Sequence, residues 1–514
     1  MKRYNLINNV LGWAVFLVAS TVYLMTAEPT ASWWDCGEYI ATADKLQVGH
    51  PPGAPTFQLL GALFSNFAGD DLTKVAYTIN ALSAISSAFT ILFLFWSITM
   101  LAKKFVKDQA EMTTAQMIAI FGSGLIGSLA YTFSDTFWYS AVEGEVYAMS
   151  SCFTAIVFWA ILKWESQAED THNLRWLILI AFLIGISIGV HLLNLLAIPA
   201  ITYVYYFKKF PNVQKGKKKK FVLVGVISML LVAFILYFVV PYIVIFAGKF
   251  EIFFTNSIGA PFNTGTIVYF AILIAAMVFG LYYTTKRNKP IINAALLSLL
   301  FILVGYTTFL VLIIRSNANT PINENAPKDA TSLLTYLNRE QYGYTPLFHG
   351  QYYNATVIDQ KEGTSKYIKD TISNKYIEVK QIGEVVYDER YTTIFPRMYS
   401  NDAGRNHPVY YKMWSGISEG SDRKPTFGEN LTYFFRYQVN HMYWRYFMWN
   451  FAGRQNDIQS YGLNYSTVNP VSESNGTKDL LHGNWITGID FIDQLRLGPQ
   501  TDLPSELANN KAKN

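Results

Sequence analysis

The sequence predicts an α-helical polytopic membrane protein with about nine transmembrane helices and an outward-facing mixed α/β C-terminal domain. Three observations carry this. Only 15% of the 514 residues are charged and 51% are hydrophobic, whereas a soluble chain carries about a quarter charged residues. The long apolar runs all fall before residue 315, and the remainder is polar and rich in turn residues. Lysine and arginine collect in alternate short loops, as the positive-inside bias requires.

A helix needs about 20 apolar residues to cross about 30 Å of hydrocarbon. Runs that meet or approach this lie near 10–26, 75–101, 117–133, 145–163, 175–190, 192–207, 221–247, 266–284 and 291–314, the fifth and sixth being short and joined by a tight turn at Gly189 to His191. The basic start and following apolar run also fit a signal peptide. No small-residue cleavage site is convincing, so the run is read as a retained first helix. With a cytoplasmic N-terminus, Lys103, Lys104, Lys107, Lys163, Arg175, Lys208 through Lys220, Lys286, Arg287 and Lys289 fall inside, and only Lys45, Lys74 and Lys249 lie on the opposite side. The loop 27–74 and everything after Arg315 then face outward. Lys217 to Lys220 read as a topology anchor before they read as a headgroup site.

This divides the chain into a membrane domain, 1–314, and an outward domain, 315–514. The tail ends without cap or anchor, so the sequence is expected to be a piece of something longer. The outward part holds strand-like stretches such as Y-I-E-V-K-Q-I-G-E-V-V-Y and an aromatic, arginine-bearing segment, Y-F-F-R-Y-Q-V-N-H-M-Y-W-R-Y-F-M-W-N-F-A-G-R-Q. An interfacial aromatic belt and a grip on sugar or peptide explain that segment equally well. The net charge of +5 is small and sits in short loops, which excludes nucleic acid as a partner. Cys36 and Cys152 fall in a loop and in a span, so no disulfide framework is expected. Asn354, Asn430, Asn464 and Asn475 head N-glycosylation triplets, which matter only in a eukaryotic secretory host.

Chemistry concentrates in the first outer loop. Asp35 and Glu38 are three apart, which on a helix puts both carboxylates on one face. The competing reading has Ser32 and Asp35 forming a helix N-terminal box, with Glu38 merely solvated. The company of the pair favours function: His50 opens a rigid H-P-P-G turn, a second loop brings Asp135, Glu143 and Glu145, and a third turn brings His191. Ionisable groups so close to hydrocarbon are usually retained for a task, although a lone histidine such as His191 is more often a hydrogen-bonded structural residue. No cofactor is assigned, and a divalent cation is the one candidate. Asp35, Glu38 and Glu145 offer carboxylates to a divalent cation, yet carboxylates gathered for acid–base work look the same, and no cluster has metal-ligand spacing.

The segments D-C-G-E-Y-I-A, H-P-P-G-A-P-T-F-Q-L-L-G-A-L-F, A-V-E-G-E-V-Y-A-M and G-I-S-I-G-V-H-L-L-N-L-L-A-I-P-A resemble the outer loops of the protein O-mannosyltransferase-like family of bacterial membrane proteins. That family has a vertebrate transmembrane O-mannosyltransferase as a relative and belongs to the GT-C glycosyltransferase superfamily. In the outward part the resemblance is confined mainly to W-R-Y-F-M-W-N-F-A-G-R-Q. It implies a GT-C-like fold and an inverting transfer of a sugar, with mannose the first candidate, from a polyprenyl-phosphate donor to Ser or Thr of exported proteins. It also implies a bacterial inner membrane, with the N-terminus cytoplasmic and the C-terminal domain periplasmic. The family's catalytic carboxylate maps onto Asp35, with Glu38 a close second because here the acidic pair is spread over four positions. His50, Glu143, Glu145, His191 and Arg315 are the candidates for binding substrate and lipid phosphate. Two other readings stand beside this one. A transporter or flippase should show paired halves and mid-span charges, which this sequence lacks; a non-catalytic envelope scaffold would use only the outward domain.

Overall fold

α1 (Lys2–Thr26) begins the bundle, and its small residues decide its partner. Ala19 meets Ala84 and Ala88 of α4 (Val75–Lys103) in one buried cluster with Val15, Ile91 and Phe95. Small residues let two apolar helices approach closely where lipid supplies no hydrophobic drive between them. The computed structural model describes residues 2–109, 111–210, 217–342, 345–363, 365–380, 383, 385–466 and 475–499. The part of the lysine loop at 211–216 and the tail at 500–514 lie outside the described residues.

The chain forms two compact units, Met1–Tyr342 with Lys366–Val379, and Gly343–Ser365 with Lys380–Asn514. The first is a polytopic helical unit. Among the described residues seven helical stretches are long and apolar enough to cross a membrane: Lys2–Thr26, Leu72–Lys103, Thr114–Thr132, Val146–Ser166, Lys218–Ile258, Thr264–Lys286 and Pro290–Asn317. Between α1 and α4 lie two short loop helices, α2 (Cys36–Asp44) and α3 (Pro55–Ser65). Then come α5 (Thr114–Thr132), α6 (Asp135–Ala141) and α7 (Val146–Ser166). The fifth and sixth expected spans are shorter than the rest. α8 (Leu174–Ile188) has 15 residues, and after a 3-10 stretch at Leu192–Ala197, α9 (Ile198–Lys209) has 12.

α10 (Lys217–Phe234) and α11 (Val240–Ile252) join through a π turn at Ile235–Val239, with Pro241 in the first turn of α11. With the π turn at Phe253–Ile258 the 41-residue element reaches about 60 Å, twice the hydrocarbon thickness, so much of it stands outside the bilayer. Its buried Glu251 accepts hydrogen bonds from the Asn263 and Thr266 backbone N–H groups and from the Thr266 hydroxyl. Thus a carboxylate occupies the N-terminus of α12 (Thr264–Lys286), where the helix dipole favours it. α13 (Pro290–Tyr306), α14 (Leu310–Asn317) and α15 (Ala330–Leu337) complete the helices of the unit.

Segment 315–342 packs with this unit rather than the other, and so does a hairpin. In chain order the strands are β1 (His349–Gln351), β2 (Val357–Gln360), β3 (Ser365–Asp370), β4 (Lys375–Lys380), β5 (Val385–Tyr387) and β6 (Thr392–Ile394). The β3–β4 hairpin is tied down by Tyr376. Its backbone N–H and carbonyl pair with the Asn256 side chain, and its hydroxyl donates to Asp329 at 3.2 Å.

In the second unit β1 pairs with β6 and β2 with β5, both antiparallel. The stretch Y-I-E-V-K-Q-I-G-E-V-V-Y therefore splits, its first half in β4 and its end in β5. The unit's core is aromatic: Tyr352, Tyr353, Tyr411, Trp414 and Tyr433 pack around Met398. α16 (His407–Ser415) and α17 (Phe427–Tyr433) contribute three of these. α17 runs on without a break through a wide π-helical stretch, Phe434–Trp444, into α18 (Arg445–Phe451). α19 (Asp490–Leu497) follows.

Candidate active site at the helix ends

Alternation of the spans gathers one set of helix ends, and hydrogen bonds lock their loops together. The Glu28 N–H donates to the Val142 carbonyl at 2.9 Å, the Thr56 N–H to Gly189, and the Val48 N–H to Ile322. Asn80, buried on α4, donates its amide to the Glu28 and Thr30 carbonyls. At the other end of the bundle Lys104 pairs with Glu165, and Lys103 lies over the Tyr4 ring. The lysine-rich ends and the acidic loops therefore lie at opposite ends of the unit.

α2 starts at the acidic pair, but not as an N-terminal box. Asp35 occupies the cap position with no side-chain capping bond, and the Ser32 hydroxyl instead donates to Glu143 at 2.7 Å. That leaves the Asp35 carboxylate 57% exposed. One turn on, Glu38 reaches back to His50, whose backbone N–H donates to Oε1 at 2.6 Å and whose Nδ1 lies 3.1 Å from Oε1. His50 Nε2 faces Asp35 at 3.8 Å. A histidine thus sits between two carboxylates, one half-buried against it and one open. A Cβ on Gly49 would come within 2.5 Å of Glu38 Oε1, so a side chain there would displace the carboxylate from His50.

The electrostatics follow from that contact. The hydrogen bond that its ring donates to Glu38 is the main reason the His50 imidazole is held above its ordinary value; burial opposes it, and the charges of Glu38 and Asp35 add to it. Burial pushes the Glu38 carboxyl up, and the bonds and charge from His50 outweigh it, so Glu38 lies below its ordinary range. The two shifts run in opposite directions, so each group favours the charged form of the other. Glu145 behaves oppositely. It is 7% exposed, and burial, with the nearby charges of Asp35 and Glu143, lifts its carboxyl to about 7.

His191 and Arg315 are engaged elsewhere. His191 Nδ1 accepts from the Leu193 N–H at 3.2 Å, and its ring packs on Tyr147. Burial and the Arg339 charge hold it below its ordinary value. Arg315 donates from Nε to the Leu46 carbonyl at 2.5 Å and from Nη2 to the Lys45 carbonyl at 3.1 Å, closing the end of α2. Asp35, Glu38 and His50 are in direct contact; Glu143 joins through Ser32, and Glu145 through charge alone. Among the described residues no three His, Cys, Asp or Glu side chains are grouped to hold a metal ion.

Sequence reasoning missed Tyr336 and Glu324. Buried Tyr336 donates its hydroxyl to the Gly49 carbonyl at 2.6 Å and to that of His50 at 3.1 Å. Glu324 donates its backbone N–H to Val48, and burial, then the charge of Glu38, raises its carboxyl. Both come from nearly 300 residues along the chain, and no local spacing announces them.

Residues 35–215 match the profile described as the protein O-mannosyl-transferase TMEM260 N-terminal domain. That match begins at Asp35 and covers the loops carrying Glu38, His50, Glu143, Glu145 and His191, but not residues 27–34 or segment 315–342. Over these residues the chain is similar to the protein O-mannosyltransferase-like family. Two curated relatives are the protein O-mannosyl-transferase tmem260 of Dictyostelium discoideum, 26% identical over 162 residues, and the protein O-mannosyl-transferase TMEM260 of Mus musculus, 24% identical over 175. The alignments take in 32% and 34% of this chain but only 18% and 22% of those relatives, so the chain spans about a fifth of the curated relatives it matches. Residues 343–435 match a second family, DUF8416, of unknown function. No solved structure matches the chain.

Proposed function

We propose that this protein is a membrane glycosyltransferase of inverting, GT-C type that moves a sugar, mannose first among candidates, from a polyprenyl-phosphate donor to Ser or Thr of exported proteins. The observation that carries the reading is the exposed Asp35 carboxylate beside a histidine that Glu38 holds by hydrogen bonds, at the ends of membrane helices. The family match across these loops and the relatives' name support it. Asp35 is the base: it takes the proton of the acceptor hydroxyl as the hydroxyl oxygen bonds to the anomeric carbon. On the opposite face the bond from that carbon to the phosphate oxygen breaks, and the electron pair leaves with the polyprenyl phosphate. The His50 imidazolium meets the charge growing on that phosphate, and Glu38 is a positioning residue that holds the imidazole in place. The loops face the periplasm of a bacterial inner membrane, with the lysine-rich ends in the cytoplasm.

The test uses purified full-length chain, labelled polyprenyl-phosphate mannose and a Ser/Thr peptide. Label should appear on the peptide hydroxyls, and Asp35→Asn should cut the rate about 10²–10⁴-fold, the usual worth of a positioned base, with an unchanged thermal melt. Equal rates in wild type and Asp35→Asn would overturn the assignment of the base. No label with any polyprenyl-phosphate sugar would overturn the donor class.

A further inference from the structure

The second unit contains a helix whose amphipathicity is inverted. From α17 through the π-helical stretch to α18, Tyr437, His441 and Arg445 recur every four residues and turn inward. His441 stacks between Tyr437 and Trp414, and Arg445 donates to the His441 and Gly483 carbonyls. These three polar groups are thus half-buried, while Arg436 and Asn440 stay exposed. Phe435, Tyr443, Phe447 and Phe451, on the same four-residue rhythm, stand exposed, with Met442 and Tyr446 beside them. Tyr443, Phe447 and Phe451 stack in a ladder with ring centroids 6.3 and 4.8 Å apart.

A soluble helix faces the other way. An exposed apolar stripe of this extent marks a contact surface. Its chemistry narrows the partner. Residues 430–456 hold no Asp or Glu, while Arg436, Arg445 and Arg454 give the stretch positive charge. Exposed Arg436 sits at the start of the stripe. Aromatic rings mixed with arginine and free of acid suit the boundary between acyl chains and phosphate headgroups. The chain already spans a bilayer, so such a surface is at hand. α19 repeats the inversion: Asp493 is buried and accepts from the Thr487 and Gly488 N–H groups, while Phe491 and Leu495 are exposed.

We infer that residues 434–451 form an interfacial helix that lies in the headgroup layer of a phospholipid bilayer, seating the second unit on the membrane through its Phe435–Tyr443–Phe447–Phe451 stripe. This goes beyond the proposed transfer reaction and holds whatever sugar is moved.

The test keeps the full chain in phosphatidylethanolamine–phosphatidylglycerol vesicles. Phe435→Cys, Phe447→Cys and Phe451→Cys are made one at a time and labelled with an environment-sensitive fluorophore, with Glu419→Cys as an exposed site away from the stripe. Each variant must first match the thermal melt of the wild type. The stripe positions should be quenched several-fold more by lipids spin-labelled near the headgroup than by aqueous iodide, with Glu419→Cys reversed. Equal iodide quenching at all four positions would overturn the inference. Shielding of the stripe from both quenchers would also overturn it, in favour of a protein partner.

Discussion

At the scale of the residue, the telling contrast is between two carboxylates three positions apart that receive different surroundings. Glu38 is fastened to His50 through both its backbone and its ring, while Asp35 makes no capping bond and stays open. Each partner holds the other's charge, so the pair contributes to stability in a definite pH window. The raised His50 contribution is complete below its unfolded value of 6.5 and is lost as pH rises through the folded value. The lowered Glu38 contribution is complete above 4.5 and is lost as pH falls through its folded value. Glu38→Gln should therefore lower the melting temperature most between about pH 4.5 and 6.5, with the gap narrowing on either side. The same variant releases His50 to titrate lower, so the basic limb of the pH–rate profile should move to lower pH while Asp35 remains functional. A Glu38→Gln profile superimposable on the wild type would remove Glu38 from its positioning role. The carboxylate pair was legible from its spacing; which of the two lies open was not, because that depends on Ser32 bonding Glu143, 111 residues away.

At the scale of the element, α8 and α13 show how short apolar helices are held. A Cβ on Gly305 would lie 2.3 Å from the Ile186 backbone nitrogen, and one on Gly185 would lie 2.4 Å from the Ile302 carbonyl oxygen. The two backbones touch, and no flexible side chain is there to yield. Gly305→Val should push the helices apart, cost about 1–3 kcal/mol as overpacking does, and lower the thermal midpoint in detergent. Gly122→Ala, with nothing within 4 Å of its Cβ, should leave the midpoint unchanged. Equal midpoints in the two variants would show that this contact is not under strain. The turn between α8 and α9 carries Gly189, whose carbonyl receives the Thr56 N–H. Separating α8 from α13 should therefore also loosen the H-P-P-G segment, which makes lost activity in Gly305→Val an indirect effect to be compared with its melt.

At the scale of the whole molecule, the two ends of the helical unit differ in charge, and that difference predicts an orientation. Lys103, Lys104, Lys107, Lys286, Arg287 and Lys289 mark one end, and Asp35, Glu38, Glu143 and Glu145 the other. Reporter domains active only in the periplasm should work when fused after Asn319 and fail when fused after Asn288. A reporter active only in the cytoplasm should give the reverse pattern. The opposite outcome would put the acidic loops on the cytoplasmic side and overturn the proposed outward transfer. The inferred interfacial helix belongs to this scale too, since it concerns how the second unit meets the bilayer as a whole.

What the sequence determined by itself was everything that depends on local periodicity: the apolar runs, their alternation with basic loops, the acidic pair, and the segments that resemble a known family. Such features are written in neighbouring residues because a bilayer selects span by span. What only the tertiary structure decided was how distant loops converge. His50 carbonyl and Gly49 are held by Tyr336, Val48 by Ile322 and Glu324, and the end of α2 by Arg315. These contacts join positions up to 287 residues apart. Hydrogen bonds between loops carry no period along the chain, so no pattern in the sequence foretells them.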